Sequence, residues 1–488
     1  MVWLVGQASL PARKNGHRKG RPYGDEDMMK RTDWWKTSVS ILVLALCLAA
    51  GCNGNDKAPA PEPLDPHAIY DRDGREVILH GGNFMGIEYN GVQADYDQMV
   101  WQWGFNTVRI LITWADLEPE QGVYDERYLP DVVEPQLDYA YRAGLLPILD
   151  MHQFKWSDCC DGMGMPVWTC ADLPESEIEY ILQAGVFWQH PEYVAAFVAA
   201  WEKVAAYFAD DERVFAYDLF NEPLAGLRTP PWFSENQLYR PLYMRLIDVI
   251  RPYHQEAYLI VEPTIIHGAG FPCVMDPIDA ERLIYGPHLY PGRTSMGGGY
   301  TFDKSLIARH LDKRRAEACR LGMPLFIGET GLRSDTENSE GYARDATELM
   351  DMHKAHWAWW AYGYDEGSMG ICHDNGEPKE AFFEYLSRPY PRATAGSVRT
   401  YIFDPDSDVF TFTFANDRGM APGSEIYVNA GHHYPGGFGV TCTDPNGAWE
   451  VDFDPETNLL TVACDPKQAE HTITIRPAKN GDTTLIFP

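Results

Sequence analysis

The chain has 488 residues and a formal net charge of −31. That length exceeds one ordinary hydrophobic core, so two domains are expected, and so negative a surface repels phosphate backbones and excludes nucleic acid as a partner. Hydrophobic residues at 45% exclude a disordered chain, and aromatics at 13% are enough to supply faces on which sugars stack.

The start reads as a leader, residues 1–51. Lys30, Arg31 and Lys36 precede an apolar run over 39–50, too short to span a bilayer and fitting a signal h-region. It closes on Leu48-Ala49-Ala50-Gly51-Cys52, where small residues before a cysteine resemble a bacterial lipobox. Cys52 would then be the lipidated new N-terminus, and Met28 or Met29 the true start. Residues 52–66 form a polar, Pro-rich tether of the kind that stays extended. The expectation is an exported bacterial cell-envelope lipoprotein, held to a membrane surface by its anchor.

From 67 to 388 apolar strands alternate with amphipathic stretches. Eight strand candidates lie at 77–82, 107–112, 145–151, 215–220, 258–262, 283–287, 324–328 and 357–361. Eight strand–helix units over that length predict an α/β fold, a (β/α)8 TIM barrel, whose site lies at the C-terminal ends of the strands. After Arg388-Pro389-Tyr390-Pro391 the pattern changes. Val409-Phe-Thr-Phe-Thr-Phe414 alternates strictly, and 425–428, 449–453, 459–463 and 472–475 read as further short strands. Residues 389–488 are therefore expected to form a C-terminal β-sandwich domain.

Eight cysteines lie beyond Cys52. Cys159, Cys160 and Cys170 crowd one loop, where a disulfide fits, and Cys442 and Cys464 flank adjacent predicted strands and could pair. None has the paired spacing of a zinc ribbon, so no metal is expected.

Two glutamates carry the chemistry. Glu222 stands in Asp218-Leu-Phe-Asn-Glu-Pro-Leu-Ala-Gly226 and Glu329 in Phe326-Ile-Gly-Glu-Thr-Gly-Leu332, at the ends of the fourth and seventh predicted strands. Two carboxylates delivered into one cleft suit glycosidic bond cleavage: one donates a proton, the other attacks or activates water. Asn221, beside the acid, can bind a sugar hydroxyl. Arg109 sits inside an otherwise apolar second strand, placed to keep a nucleophilic carboxylate ionised. His152 follows the third strand, His288 and Tyr290 the sixth, and Trp360 the eighth, where it would be a stacking platform with Trp359 as the competing choice.

These residues resemble glycoside hydrolase family 5 and, within it, the endoglycoceramidases. The wider likeness rests on the Asn-Glu-Pro and Glu-Thr-Gly motifs. The closer one rests on the stretches at 108–129, 150–153 and 285–292 and on the junction Arg388-Pro-Tyr-Pro-Arg-Ala-Thr-Ala-Gly396. The resemblance implies that Glu222 is the acid/base, Glu329 the nucleophile of a retaining mechanism, and Arg109, His152, Asn221, His288, Tyr290 and Trp360 their supporting residues. It implies no cofactor and no obligate protein partner. The substrate would be a glycolipid or oligosaccharide, cut between glycan and ceramide. An endo-β-glucanase, a mannanase, or a β-glucosidase on short lipid glycosides are the alternatives. A surface lipoprotein binding glycans without cutting them would be a different class, and the intact glutamate pair argues against it.

Two departures from the family pattern bear on the glycan. Phe154 stands where an Asp follows His-Gln, and no Lys follows Asn83 within Asn83-Phe-Met-Gly-Ile87. Two loops, 162–168 and 268–275, carry Met and aromatic residues that could line a lipid groove.

Overall fold

The computed structural model describes residues 65–487 except 88–90, 171–178, 227–228, 293, 295–297, 365–368, 417–422 and 479–484. The leader, Cys52 and the tether as far as residue 64 lie outside the described residues. Among those described, no helix is long and apolar enough to cross a membrane.

Eight parallel strands form one sheet: His80–Phe84, Thr107–Ile112, Leu146–Met151, Ala216–Asp218, Tyr258–Val261, Leu283–Tyr285, Phe326–Thr330 and His356–Tyr362. Spatial order runs from the sixth strand back to the first, then to the eighth and seventh. Parallel bridges Tyr285–Leu325 and Leu289–Thr330 join the two end strands and bring the sheet round as a barrel. The second strand, Thr-Val-Arg-Ile-Leu-Ile, is buried at every residue, as a parallel strand covered on both faces must be.

The helices follow local signals. Pro191–Tyr207 opens on a proline, whose missing N–H costs nothing there. It turns Phe197, Val198, Trp201, Val204 and Ala205 inward at helical spacing. Lys304–Leu321 is capped by the Asp303 side chain, which accepts from the Leu306 N–H. It ends at Gly322, whose φ of 71° suits the left-handed stop.

The C-terminal part is two antiparallel sheets. One has five strands: Ser397–Asp404, Val409–Ala415, Glu470–Pro477, Phe438–Cys442 and Leu485–Phe487. The other has six and includes Tyr390–Thr394, Ser424–Tyr427, Leu459–Ala463 and Glu450–Asp454. The alternating Phe410, Phe412 and Phe414 meet Ile426, Leu460, Val462, Ile473 and Ile475 in a shared core.

The six-stranded sheet also takes in Ile69–Tyr70 and Glu76–Val77. Val77 pairs with Ala393, so the first barrel strand starts at His80 and not at residue 77. The span expected to open the barrel thus begins by completing the sandwich. The seam is aromatic and charged: His80 stacks on Tyr390 with centroids 3.9 Å apart, and buried Arg388 pairs with Asp351 at 2.6 Å.

Candidate active site

Arg109 is the hub of the strand ends. It is fully buried, and its guanidinium touches six side chains from five strands or the turns that follow them. Nε donates to Asp218 Oδ2 at 2.9 Å, and Nη1 donates to Asn83 Oδ1 at 3.0 Å and to Glu329 Oε1 at 3.1 Å. Nη2 donates to Asn221 Oδ1 and Glu262 Oε1, both at 2.9 Å, and lies 2.9 Å from Asp150 Oδ1. Asp150, Asp218 and Glu262 come close enough to hold a cation, each offering an oxygen within 4.8 Å of the others. The cation they surround is this guanidinium.

Four buried carboxylates against one arginine leave an excess of negative charge, and the ionisation follows. Burial drives Asp150 up to about 8, Asp218 to about 6 and Glu262 to about 7, each against the pull of a neighbouring cation. Burial also raises Glu329; His288 and Arg109 oppose it, while the Glu222 charge adds to it. For His288 burial works downward, but the Glu329 and Glu262 charges and the Glu222 hydrogen bond outweigh it and hold the ring well above its usual range. His152 goes the other way: burial lowers it to about 3. His152 is therefore neutral, and its Nδ1 shares a hydrogen bond with Asp150 Oδ2 at 2.7 Å.

The two glutamates meet across His288. Its Nδ1 lies 2.9 Å from Glu222 Oε1 and 3.6 Å from Glu329 Oε2. Oxygens of Glu222 and Glu329 fall within 4.8 Å of each other. Tyr290 donates its hydroxyl proton to Glu329 Oε2 at 3.2 Å. Glu329 thus has one oxygen on Arg109 and the other on Tyr290, which fixes its plane. Asn221 is 1% exposed and donates Nδ2 to the Gln153 carbonyl at 2.9 Å. Trp360 is half-buried and stacks on His152 at 5.4 Å and 14°, whereas Trp359 is fully buried. Of the two tryptophans, Trp360 has a face to offer.

All eight residues singled out in the sequence converge here. Beneath them lies a tier that the motifs did not single out: Asn83, Asp150, Gln153, Asp218 and Glu262. The signal was the one that marked Arg109, a charge or amide in an apolar strand, as in Leu-Pro-Ile-Leu-Asp-Met or Tyr-Leu-Ile-Val-Glu.

The two lipid-groove loops differ. Loop 162–168 is stapled at its base by the Cys159–Cys170 disulfide and turns Met165 inward, leaving Val167 exposed. Loop 268–275 presents Phe271 at 55% and Val274 at 37% exposure. It is held from below: Glu317 accepts from the Cys273 N–H, and Glu235 from the Val274 N–H.

Residues 70–366 match the profile of the cellulase family, glycosyl hydrolase family 5, and residues 388–475 match the glycoside hydrolase family 5 C-terminal domain. The chain is 26% identical to endoglycoceramidase I of Rhodococcus hoagii, over 81% of this chain and 84% of that one. It is 24% identical to an endoglycoceramidase of Hydra vulgaris, over 82% and 86%. The structure is similar to endo-glycoceramidase II from a Rhodococcus species in its ganglioside GM3 complex, with a TM-score of 0.75 and 28% identity over 85% of this chain and 100% of that one. It is similar to the same enzyme's lactosyl-enzyme intermediate at a TM-score of 0.74.

Proposed function

The chain belongs to glycoside hydrolase family 5 and is a glycoside hydrolase, and from that premise we propose that it cleaves the bond between glycan and ceramide with retention of configuration. The observation that carries this reading is the spacing of Glu222 and Glu329. Retention uses carboxyl groups about 5–5.5 Å apart, whereas inversion leaves about 6.5–9.5 Å for a water; oxygens within 4.8 Å of each other support the first. Likeness to endoglycoceramidases across barrel and sandwich supports the ceramide aglycone. So does the exposed apolar rim at Phe271 and Val274.

In this mechanism Glu329, oriented by Arg109 and Tyr290, attacks the anomeric carbon as Glu222 protonates the departing oxygen. The bond to ceramide breaks and a glycosyl ester on Glu329 forms. Water then attacks the same carbon, Glu222 takes its proton, and Glu329 is released as carboxylate. His288, cationic and in contact with both glutamates, offsets the charge that moves between them. Trp360 stacks on an apolar sugar face. Phe154 and the lack of a Lys after Asn83 remove two polar sugar contacts of the family pattern, which favours a short glycan. The small residues before Cys52 support a lipid anchor there, and with it a place on the bacterial cell envelope facing lipid substrates.

The test is incubation with glycosylceramides of increasing glycan length and with β-glucans and mannan, products resolved by mass. Intact oligosaccharide plus ceramide is expected. Cleaved polysaccharide with untouched lipid would replace this reading with a glycanase.

A further inference from the structure

We propose that Glu262 is a positioning residue for this hydrolysis, holding the main chain that aims Glu222 at the leaving oxygen. The inference rests on the retaining reading above. It starts from the backbone of Glu222, whose φ is 45°. A non-glycine residue enters that left-handed region at a cost. Pro223 follows, and a residue before proline is pushed toward extended backbone. The local sequence therefore works against the conformation that presents the carboxylate, and neighbours must impose it.

Two side chains do so. Gln153 Nε2 donates to the carbonyls of Asn221 and Glu222, both at 3.1 Å. Glu262 Oε2 accepts the Glu222 main-chain N–H at 2.7 Å. Glu262 is itself pinned: Oε1 takes Arg109 Nη2 at 2.9 Å, and its carbonyl accepts the Tyr243 hydroxyl at 2.7 Å. Oε1 also lies 3.4 Å from His288 Nε2, while the same ring's Nδ1 meets Glu222 Oε1 at 2.9 Å. Glu262 thus reaches the acid/base twice, directly at its backbone and through His288 at its carboxylate. At 2% exposure it offers substrate almost no surface, so its effect passes through Glu222. The charged groups around it are Arg109 on the second strand, Asp150 on the third, Asp218 on the fourth, and His288 after the sixth, with Glu222 and Glu329 beyond that ring.

A residue acting through the proton donor matters most when the leaving group needs protonation. The experiment compares kcat/KM of wild type and Glu262→Ala on octyl β-lactoside, a poor leaving group, and 2,4-dinitrophenyl β-lactoside, which departs unassisted. General acid catalysis contributes about 100- to 10,000-fold. A loss of roughly 100-fold on the octyl substrate with under about 5-fold on the dinitrophenyl one is expected. Equal losses on both, or none on either, would overturn the proposal. Should Glu262→Ala fail to fold, Glu262→Gln decides. Without the carboxylate charge His288 gives up its proton at lower pH, so the alkaline limb of kcat/KM on octyl lactoside should move down; an unmoved limb would overturn the proposal. Wild type inert toward both lactosides and toward every glycosylceramide would instead defeat the hydrolytic reading, and this inference with it.

Discussion

Trp360 lies parallel to His152, ring centroids 5.4 Å apart, with one flank still open to solvent. The stack ties the end of the eighth strand to the end of the third, and it fixes the platform at a set distance from the hub around Arg109. Removing it should cost binding and leave the fold alone. Trp360→Ala is expected to lower kcat/KM on a β-lactoside about 10- to 100-fold, mostly through KM, from lost stacking and apolar contact. Trp359→Phe, at a fully buried position, should lower the melting temperature and change KM little. The reverse pattern in steady-state kinetics would make Trp359 the platform.

Glu329→Gln should abolish turnover. The amide keeps the shape and leaves an oxygen for Arg109, but it has no charge with which to form the glycosyl ester. A fall of at least about 1,000-fold in kcat is expected, with a far-ultraviolet spectrum like that of wild type. Near-normal turnover by this variant would end the nucleophile assignment.

The strand ends were readable because barrel geometry sends every C-terminal strand end to one face, so any polar residue ending an apolar run is a candidate. That rule reached Glu222, Glu329 and His288, while Arg109 stood out as a charge inside an apolar strand. It missed Glu262 as a separate role, because a carboxylate ending Tyr-Leu-Ile-Val looks the same whether it faces substrate or a neighbour's N–H. Nor could periodicity divide Trp359 from Trp360: the eighth strand's register shifts against both neighbours at this point, and alternation no longer tells inside from outside. The hairpin over 69–77 was read into the barrel for a related reason. Its partner, Ala393, lies more than three hundred residues away, and no local pattern announces so distant a pairing.

Asp150 predicts a pH effect on stability. Its folded pKa is raised to about 8, against roughly 3.9 in the unfolded chain. The native state therefore holds a proton that the unfolded state has lost, across about pH 4 to 8. The stability from this group is fully present below the unfolded value and is lost as pH rises through the folded one. Asp150→Asn removes the titration. The melting temperature of the variant relative to wild type should rise between pH 5 and pH 8. Two melting curves running parallel over that range would show that Asp150 does not titrate there.

The rim at 268–275 predicts a split between substrates. Glu235, Arg314 and Glu317 hold its backbone, with Arg314 paired to Glu317 at 2.8 Å. The loop is thus rigid enough to present Phe271 outward. Phe271→Asp should lower the rate on glycosylceramide in detergent micelles about 10-fold, since burying one aromatic is worth roughly 1.5–3 kcal/mol. On 2,4-dinitrophenyl β-lactoside, which has no lipid, the same variant should match wild type. Equal losses on both would place the loop in the sugar cleft.

Cys442 ends a strand of the five-stranded sheet, and Cys464 follows a strand of the six-stranded one. Both stand as free thiols, close enough that their sulfurs lie within 4.8 Å. They are therefore on opposite sheets, which the expectation of adjacent strands did not convey, and a bond between them would staple the sandwich at one edge. In an oxidising compartment a disulfide donor should close it, the pair leaving lighter by two hydrogens. Closing a loop of this size stabilises by about 3 kcal/mol in the chain-entropy account. Chain refolded with oxidised glutathione should yield a Cys442–Cys464 peptide by non-reducing mapping, and Cys464→Ser should melt several degrees lower. Thiols that both stay open to alkylation after oxidation would mean that the two sheets hold them out of bonding reach.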